Sequence, residues 1–294
     1  MERKRSVFGI MRTVLTVLFS IVFIVSAVML GWNICDRRKG EKIYNELEEI
    51  FHEGGFDHKK LTQTLVFRED NGPISLLDEK NLADESVDAL DEDPNAAQNE
   101  LLDQMREGLS ALREINPDIY AWIFVEGTDI DYPVVRGDDN SHYLNHAYNG
   151  AYSPLGAIFA DYRCPDGIGE NVNTVFYGHN LLTGGSDMFH DVEMFLEKEF
   201  FDSALIYVYT FDGIYVYQPF AIYQARYDYN YFEVNFDCAE EFLVFAARMK
   251  ENSRIENDTI FEAGDSILTL STCTNIEYFT RYVLHAKLIY RIED

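Results

Sequence analysis

Apolar residues fall along this chain in three patterns, and each predicts a different kind of element. From Thr13 to Ile34 the run TVLTVLFSIVFIVSAVMLGWNI holds 22 positions without a charge. As a helix rising about 1.5 Å per residue it is about 33 Å long, enough for a hydrocarbon layer of about 30 Å. A cleaved secretory signal has a shorter apolar region and a small-residue cleavage site. No convincing site is present, so an uncleaved signal anchor is expected, with a cleaved signal as the alternative. Arg3, Lys4, Arg5 and Arg12 precede the span, while Arg37, Arg38, Lys39 and Lys42 follow it. The positive-inside rule therefore gives a tie, and orientation has to come from function.

The second pattern is the near absence of apolar periodicity. Residues 69–100 carry eleven acidic side chains against the single base Lys80, with Pro73 and Pro94 and no aromatic. Low hydrophobicity and self-repulsion predict an extended, solvated spacer. Asp88, Asp91, Glu92 and Asp93 lack the alternating spacing, central Gly and terminal Glu of a calcium loop, so no ion is expected there.

The third pattern begins near residue 95. Leu101, Met105, Leu109 and Leu112 recur at helical spacing until Asn116-Pro117 ends the helix. Short β-branched and aromatic runs follow, predicting strands at Tyr120–Val125, Tyr132–Val135, Ala157–Ala160, Thr174–Tyr177, Leu205–Thr210, Ile214–Ala225, Ser266–Thr272 and Arg281–Arg291. Asp212-Gly213 signals a hairpin. Two helical insertions are expected. One covers Met188–Phe200; the other starts at Asp237, with Glu240 completing a capping box and Phe242, Phe245 and Met249 on one face. The fold class is mostly β. Closure of the eight strands into a barrel is expected, because closure removes exposed edges.

Composition narrows the function. The 294 residues are 47% hydrophobic and carry a net charge of −27, from 24 basic and 51 acidic side chains. An acidic chain of this kind is not expected to bind nucleic acid, which requires a basic face. Four cysteines do not make a disulfide scaffold. No Gly-rich phosphate loop, C-x-x-C pair or H-E-x-x-H is present, so neither a nucleotide cofactor nor a metal is expected.

One cysteine stands apart. Cys273 ends the alternating run SILTLSTC, on the strand face shared by Ser271, Thr269 and Ile267, and polar Thr274-Asn275 follows it. A small buried hydrophobe is the ordinary fate of a free cysteine, so this position alone leaves both readings open. Cys35, Cys164 and Cys238 have no comparable setting. A thiol with an ordinary pKa of about 8.5 needs an imidazole or cation nearby to react. His179 in NTVFYGHN leaves an apolar strand directly after Gly178. His285 lies inside a strand, where a structural histidine is more common. Arg281 opens the strand after the cysteine's loop, where a guanidinium could stabilise a thiolate or an oxyanion, or could simply be a surface charge.

TLSTC followed by an arginine opening the next strand, together with YGHN, resembles the sortases, membrane-anchored cysteine transpeptidases of Gram-positive surfaces. IDYPVV at 130–135, DN-x-x-YL at 139–144, YSPLGAIFADYR at 152–163 and the helical insertion before the cysteine strand resemble class B. The resemblance implies an eight-stranded barrel in which Cys273 attacks the Thr carbonyl of a C-terminal sorting signal on a secreted protein. It further implies that His179 acts as acid and base and that Arg281 holds the signal and the oxyanion. Ser271, Tyr177, Asn140 and Leu144 match residues lining the signal groove. Some members carry an acidic residue just after the cysteine; Thr274 and Asn275 stand there in this chain. No cofactor is implied. The acceptor would be an amine of a peptidoglycan cross-bridge or lipid-linked precursor. The alternatives are a pilin lysine as acceptor, or a barrel that binds surface proteins without turnover. The resulting plan is a cytoplasmic N-terminus at 1–12, a membrane anchor at 13–34, an extracellular linker at 35–94 and an outward-facing catalytic domain at 95–294.

Overall fold

A computed structural model describes residues 2–52, 56–58, 61, 94–164, 167–180, 188–226, 228–273 and 280–293. Helix α1 (Glu2–His52) contains the apolar run, and its segment Gly9–Trp32 is long and apolar enough to cross a membrane. None of that segment is buried against protein. Helix α2 (Pro94–Ile115) buries Leu102, Met105, Leu109 and Leu112 and stops where Asn116-Pro117 predicted.

The eight expected strands all form, with ends shifted by a residue or two. They are β1 (Ile119–Val125), β2 (Asp131–Val135), β3 (Ile158–Ala160), β4 (Asn173–Gly178), β5 (Ile206–Tyr209), β6 (Gly213–Arg226), β7 (Ile267–Cys273) and β8 (Thr280–Glu293). They close into a barrel in the order β1-β2-β3-β4-β7-β8-β6-β5. The β2–β3 and β4–β7 pairs are parallel and the others antiparallel. Asp212-Gly213 makes the expected hairpin, with Thr210 Oγ1 accepting both backbone N–H groups at 3.1 and 3.0 Å. Phe176 and Tyr217 are buried inside the barrel, while Trp122 and Tyr209 are buried on its outer face against Phe51 of α1.

Three expectations about the helices change. The insertion at Met188–Phe200 is not one helix but a 3-10 segment, His190–Leu196, followed by α3 (Lys198–Ser203). Helix α4 (Ala239–Glu251) begins two residues later than expected, with Cys238 as its N-cap. No Asp237–Glu240 capping box forms; instead Glu241 Oε2 accepts the Asp237 N–H at 3.0 Å. The stretch 35–94, assigned as a linker with the folding of 42–67 left open, starts as helix. α1 continues to His52, and Tyr44, Leu47, Phe51, Phe56 and Leu61 are buried in the core cluster. Phe51 stacks on Trp122 with ring centres 4.0 Å apart. This stretch has an apolar face that net charge conceals. The acidic residues at 62–93 lie outside the described residues.

α4 lays Phe242, Phe245 and Met249 over the outer face of β6, β7 and β8, against Phe220, Tyr223, Ile267 and Val283. Under it, His285 is fully buried, with Nε2 at 2.8 Å from Tyr223 Oη and Nδ1 at 2.8 Å from Thr269 Oγ1. Burial pushes its pKa from 6.5 down to about 3. The folded state therefore keeps this imidazole neutral, while the unfolded chain protonates it below about pH 6.5. Its contribution to stability is complete above that pH and is lost toward pH 3, by about 1.4 kcal/mol per unit at most. Urea unfolding of the full chain between pH 7 and pH 4 is expected to show this slope, and His285→Gln to flatten it.

Candidate active site

The site is built by the ends of three neighbouring strands. Across β7 and β8, Cys273 pairs with Arg281. Across β4 and β7, Gly178 pairs with Thr272, so His179 leaves β4 level with Cys273. Alternation decides the face. Leu268 and Leu270 enter the main core, whereas Ile267 packs outside under α4, as does Val283. Position 273 thus falls on the outer face of the pleat with Ser271 and Thr269, and Arg281 shares that face with Val283 and His285. Positions 179, 273 and 281 meet at one rim. The Cys273 side chain lies outside the described residues, as do Thr274 and Asn275.

His179 is half-buried and tightly held. Its Nε2 lies 2.7 Å from the Leu144 carbonyl. A carbonyl only accepts, so Nε2 carries a hydrogen and donates it. The His179 carbonyl in turn accepts the Phe189 N–H at 2.9 Å. Two glycines allow this approach. The Phe189 ring covers Gly178, and a Cβ there would lie 2.7 Å from it. Gly156, at φ +61°, brings the loop before β3 so close that a Cβ would lie 2.7 Å from the Tyr143 carbonyl and 3.1 Å from His179 Cδ2. Arg281 is half-buried, and its Nη1 donates to the Thr280 carbonyl at 3.0 Å.

The turn His142–Leu144 presents that carbonyl, and the sequence builds it locally. Asp139 Oδ1 accepts the N–H groups of Ser141 and His142 at 2.6 and 2.9 Å. These two bonds hold the Asp139 carboxyl below the usual carboxylate range. Asn140 Oδ1 accepts the Tyr162 N–H at 3.1 Å, tying the turn to the segment after β3. Leu144 leaves its side chain 45% exposed beside His179.

Ser271, buried, and Tyr177, half-buried, belong to one polar layer on the outer face. Ser271 Oγ is 2.8 Å from Tyr231 Oη. Tyr177 Oη donates to Asp161 Oδ2 at 2.9 Å, and Arg163 grips the same carboxylate with Nε and Nη2 at 2.9 and 2.8 Å. Burial alone would raise the Asp161 pKa, but Arg163 and the Tyr177 hydroxyl outweigh it and hold the acid low. Arg163 Nη2 also donates to the Phe232 carbonyl at 2.9 Å, and Asn173 Nδ2 to that of Glu233 at 2.7 Å. These bonds pin the segment around Tyr231–Glu233 over β4 and β7.

A sortase domain profile matches residues 123–289. Sortase B of Listeria monocytogenes is 32% identical over 199 residues, covering 66% of this chain and 79% of the relative. Among solved structures, Bacillus anthracis sortase B is 37% identical with a TM-score of 0.58, covering 63% of this chain and 84% of that one. The Staphylococcus aureus sortase B–substrate complex is 32% identical with a TM-score of 0.58, covering 64% and 86%. The chain belongs to the sortase family, in class B. Sortases are cysteine transpeptidases, and membership implies protein substrates with sorting signals and cell-wall amines.

Within this sortase one of the other described thiols is withdrawn from solvent and two are not. Cys164 is buried, and burial pushes its thiol up to about 11, with Sγ 3.7 Å from the Asn173 carbonyl. Cys35 and Cys238 are exposed and free. Sequence reasoning overlooked Gly156, Asp161, Arg163 and Tyr231, although the first three stand in YSPLGAIFADYR and carry the signal of a loop and its brace. A left-handed L-residue costs about 1–2 kcal/mol, and the new Cβ would also press on the Tyr143 and Leu144 carbonyls. Gly156→Ala is therefore expected to lower the thermal midpoint by at least about 2–8 °C in calorimetry.

Proposed function

We propose that this sortase cleaves a C-terminal sorting signal of secreted proteins after Thr and transfers the acyl group to a peptidoglycan amine. Cys273, His179 and Arg281 carry the chemistry. The observation that supports this most is the pairing of Cys273 with Arg281, with His179 one step past the Gly178–Thr272 pair.

In this reading the Cys273 thiolate attacks the Thr carbonyl carbon, and the electron pair of the C=O bond moves onto oxygen. Arg281 stabilises that oxyanion with a permanent, forked cation. The oxyanion collapses, the C–N bond breaks, and the His179 imidazolium gives its proton to the leaving amine. A thioester to Cys273 remains. His179, now neutral, takes a proton from the incoming amine as it attacks the thioester, and the thiolate leaves. Two half-reactions of opposite proton direction use one imidazole, so the net reaction consumes no proton. Leu144, Asn140, Ser271 and Tyr177 are assigned to the signal groove, the last two as its buried support.

The segment Gly9–Trp32 anchors the chain, and the barrel faces outward, where translocated substrates are found. Protease added to intact protoplasts is expected to digest the barrel; protection would contradict this orientation.

The central test is turnover of sorting-signal peptides by the full chain in detergent, with mass spectrometry of adduct and product. Cys273→Ala is expected to abolish both cleavage and transfer. Arg281→Lys is expected to lower kcat/KM by about a hundredfold or more, the scale of losing one oxyanion donor. Absence of any adduct on Cys273 with a thiol-reactive signal analogue would leave a binding barrel. The product identifies the acceptor, as a cross-bridge amine or an inter-subunit isopeptide.

A further inference from the structure

The helix that carries the apolar span also reaches the site. α1 runs without interruption from Glu2 to His52, so the same rod enters the barrel's surface. Gly40 meets the loop before β3: a Cβ there would lie 2.7 Å from Leu155 Cδ1 and 2.9 Å from Ser153 Oγ. One turn later Tyr44 is buried, and its hydroxyl donates to the Gly156 carbonyl at 2.7 Å. Its ring meets Tyr132 edge-on at 5.6 Å and Tyr148 at 5.8 Å. The bond is therefore made by a side chain clamped from β2 and from the 148 loop.

Gly156 packs beside His179, next to the Leu144 carbonyl that holds Nε2: a Cβ on it would lie 3.1 Å from His179 Cδ2. Its φ of +61° belongs to a backbone that glycine leaves readily, having no Cβ to favour one basin. Its own N–H bonds to the Ser153 carbonyl at 3.0 Å, which closes a local turn without tying it to another element. Tyr44 supplies such a tie, fixing the carbonyl of the residue whose Cα faces His179 Cδ2.

We infer that Tyr44 is a positioning residue for His179, so that the anchoring helix forms part of the frame of the active site. The inference rests on the reading of His179 as the acid–base group. Loss of the bond loosens the Gly156 loop and with it the imidazole, which affects proton transfer more than capture of the peptide.

The test uses the full chain in detergent micelles, with Tyr44→Phe to delete only the hydroxyl and keep the ring. One neutral hydrogen bond corresponds to about a two- to tenfold change. Tyr44→Phe is expected to lower kcat by that factor, leave KM for a signal peptide within about twofold, and lower the thermal midpoint by no more than about 6 °C. The His179 imidazole signal, followed by 13C-histidine NMR and assigned by its loss in His179→Gln, is expected to shift in position and titration midpoint. An unchanged His179 signal overturns the inference, whether or not the wild-type chain turns over. So does an equal loss in kcat and thermal midpoint with no change in the signal, which marks Tyr44 as merely structural. Failure of the wild-type chain to turn over signal peptides counts against the proposed function alone.

Discussion

Strand β7 is paired on both sides, in parallel with β4 and antiparallel with β8, and those two registers fix what stands at the rim. A slip of one residue in either would carry the neighbour's side chains to the opposite face and separate positions 179, 273 and 281. The registers are themselves held by burial. Leu268, Leu270 and Leu284 lie in the main core, while Ile267 and Val283 are covered by α4, so neither face of β7 can be exchanged for the other. Packing on two sides thus sets the chemistry at one end. The Thr269, His285 and Tyr223 hydrogen bonds add a directional constraint beneath α4 that apolar contact alone does not supply.

Strands were the legible part of this chain. Their alternation and their turn residues are local signals, and β6 and β8, at 14 residues each, carry them at length. Helix boundaries were less legible. Asp237 and Glu240 have the spacing of a capping box, but the chain begins α4 at Ala239 with Cys238 as its N-cap, and Glu241 does the reaching back. The segment from Tyr44 to Leu61 was hidden by its charges. What orders it is a tertiary event, Phe51 settling on Trp122 more than 70 positions away, and no local periodicity announces such a partner.

The site was half legible. Cys273, His179 and Arg281 were singled out by a strand-end thiol's need for an imidazole or cation and by the resemblance of TLSTC and YGHN to sortases. Strand register places the three positions at one rim. The residues that hold the imidazole were less visible. Leu144 contributes a backbone carbonyl, which any residue could offer, and Gly156 contributes the absence of a side chain. Ser271 and Tyr177 were expected along a groove, yet their hydroxyls are engaged by Tyr231 and Asp161. Such roles follow from three-dimensional distance and leave only glycine, Asx or paired-charge traces in the sequence.

The unbroken α1 also limits where the enzyme can work. With Gly9–Trp32 in a bilayer, Gly40, where the helix already touches the barrel, is only eight positions past Trp32. That is about 12 Å of rigid rod, not a flexible leash. In the proposed orientation the barrel would ride just above the lipid surface, and its encounters would become a search in two dimensions. Polypeptides emerging beside it would be favoured over those already deeper in the wall.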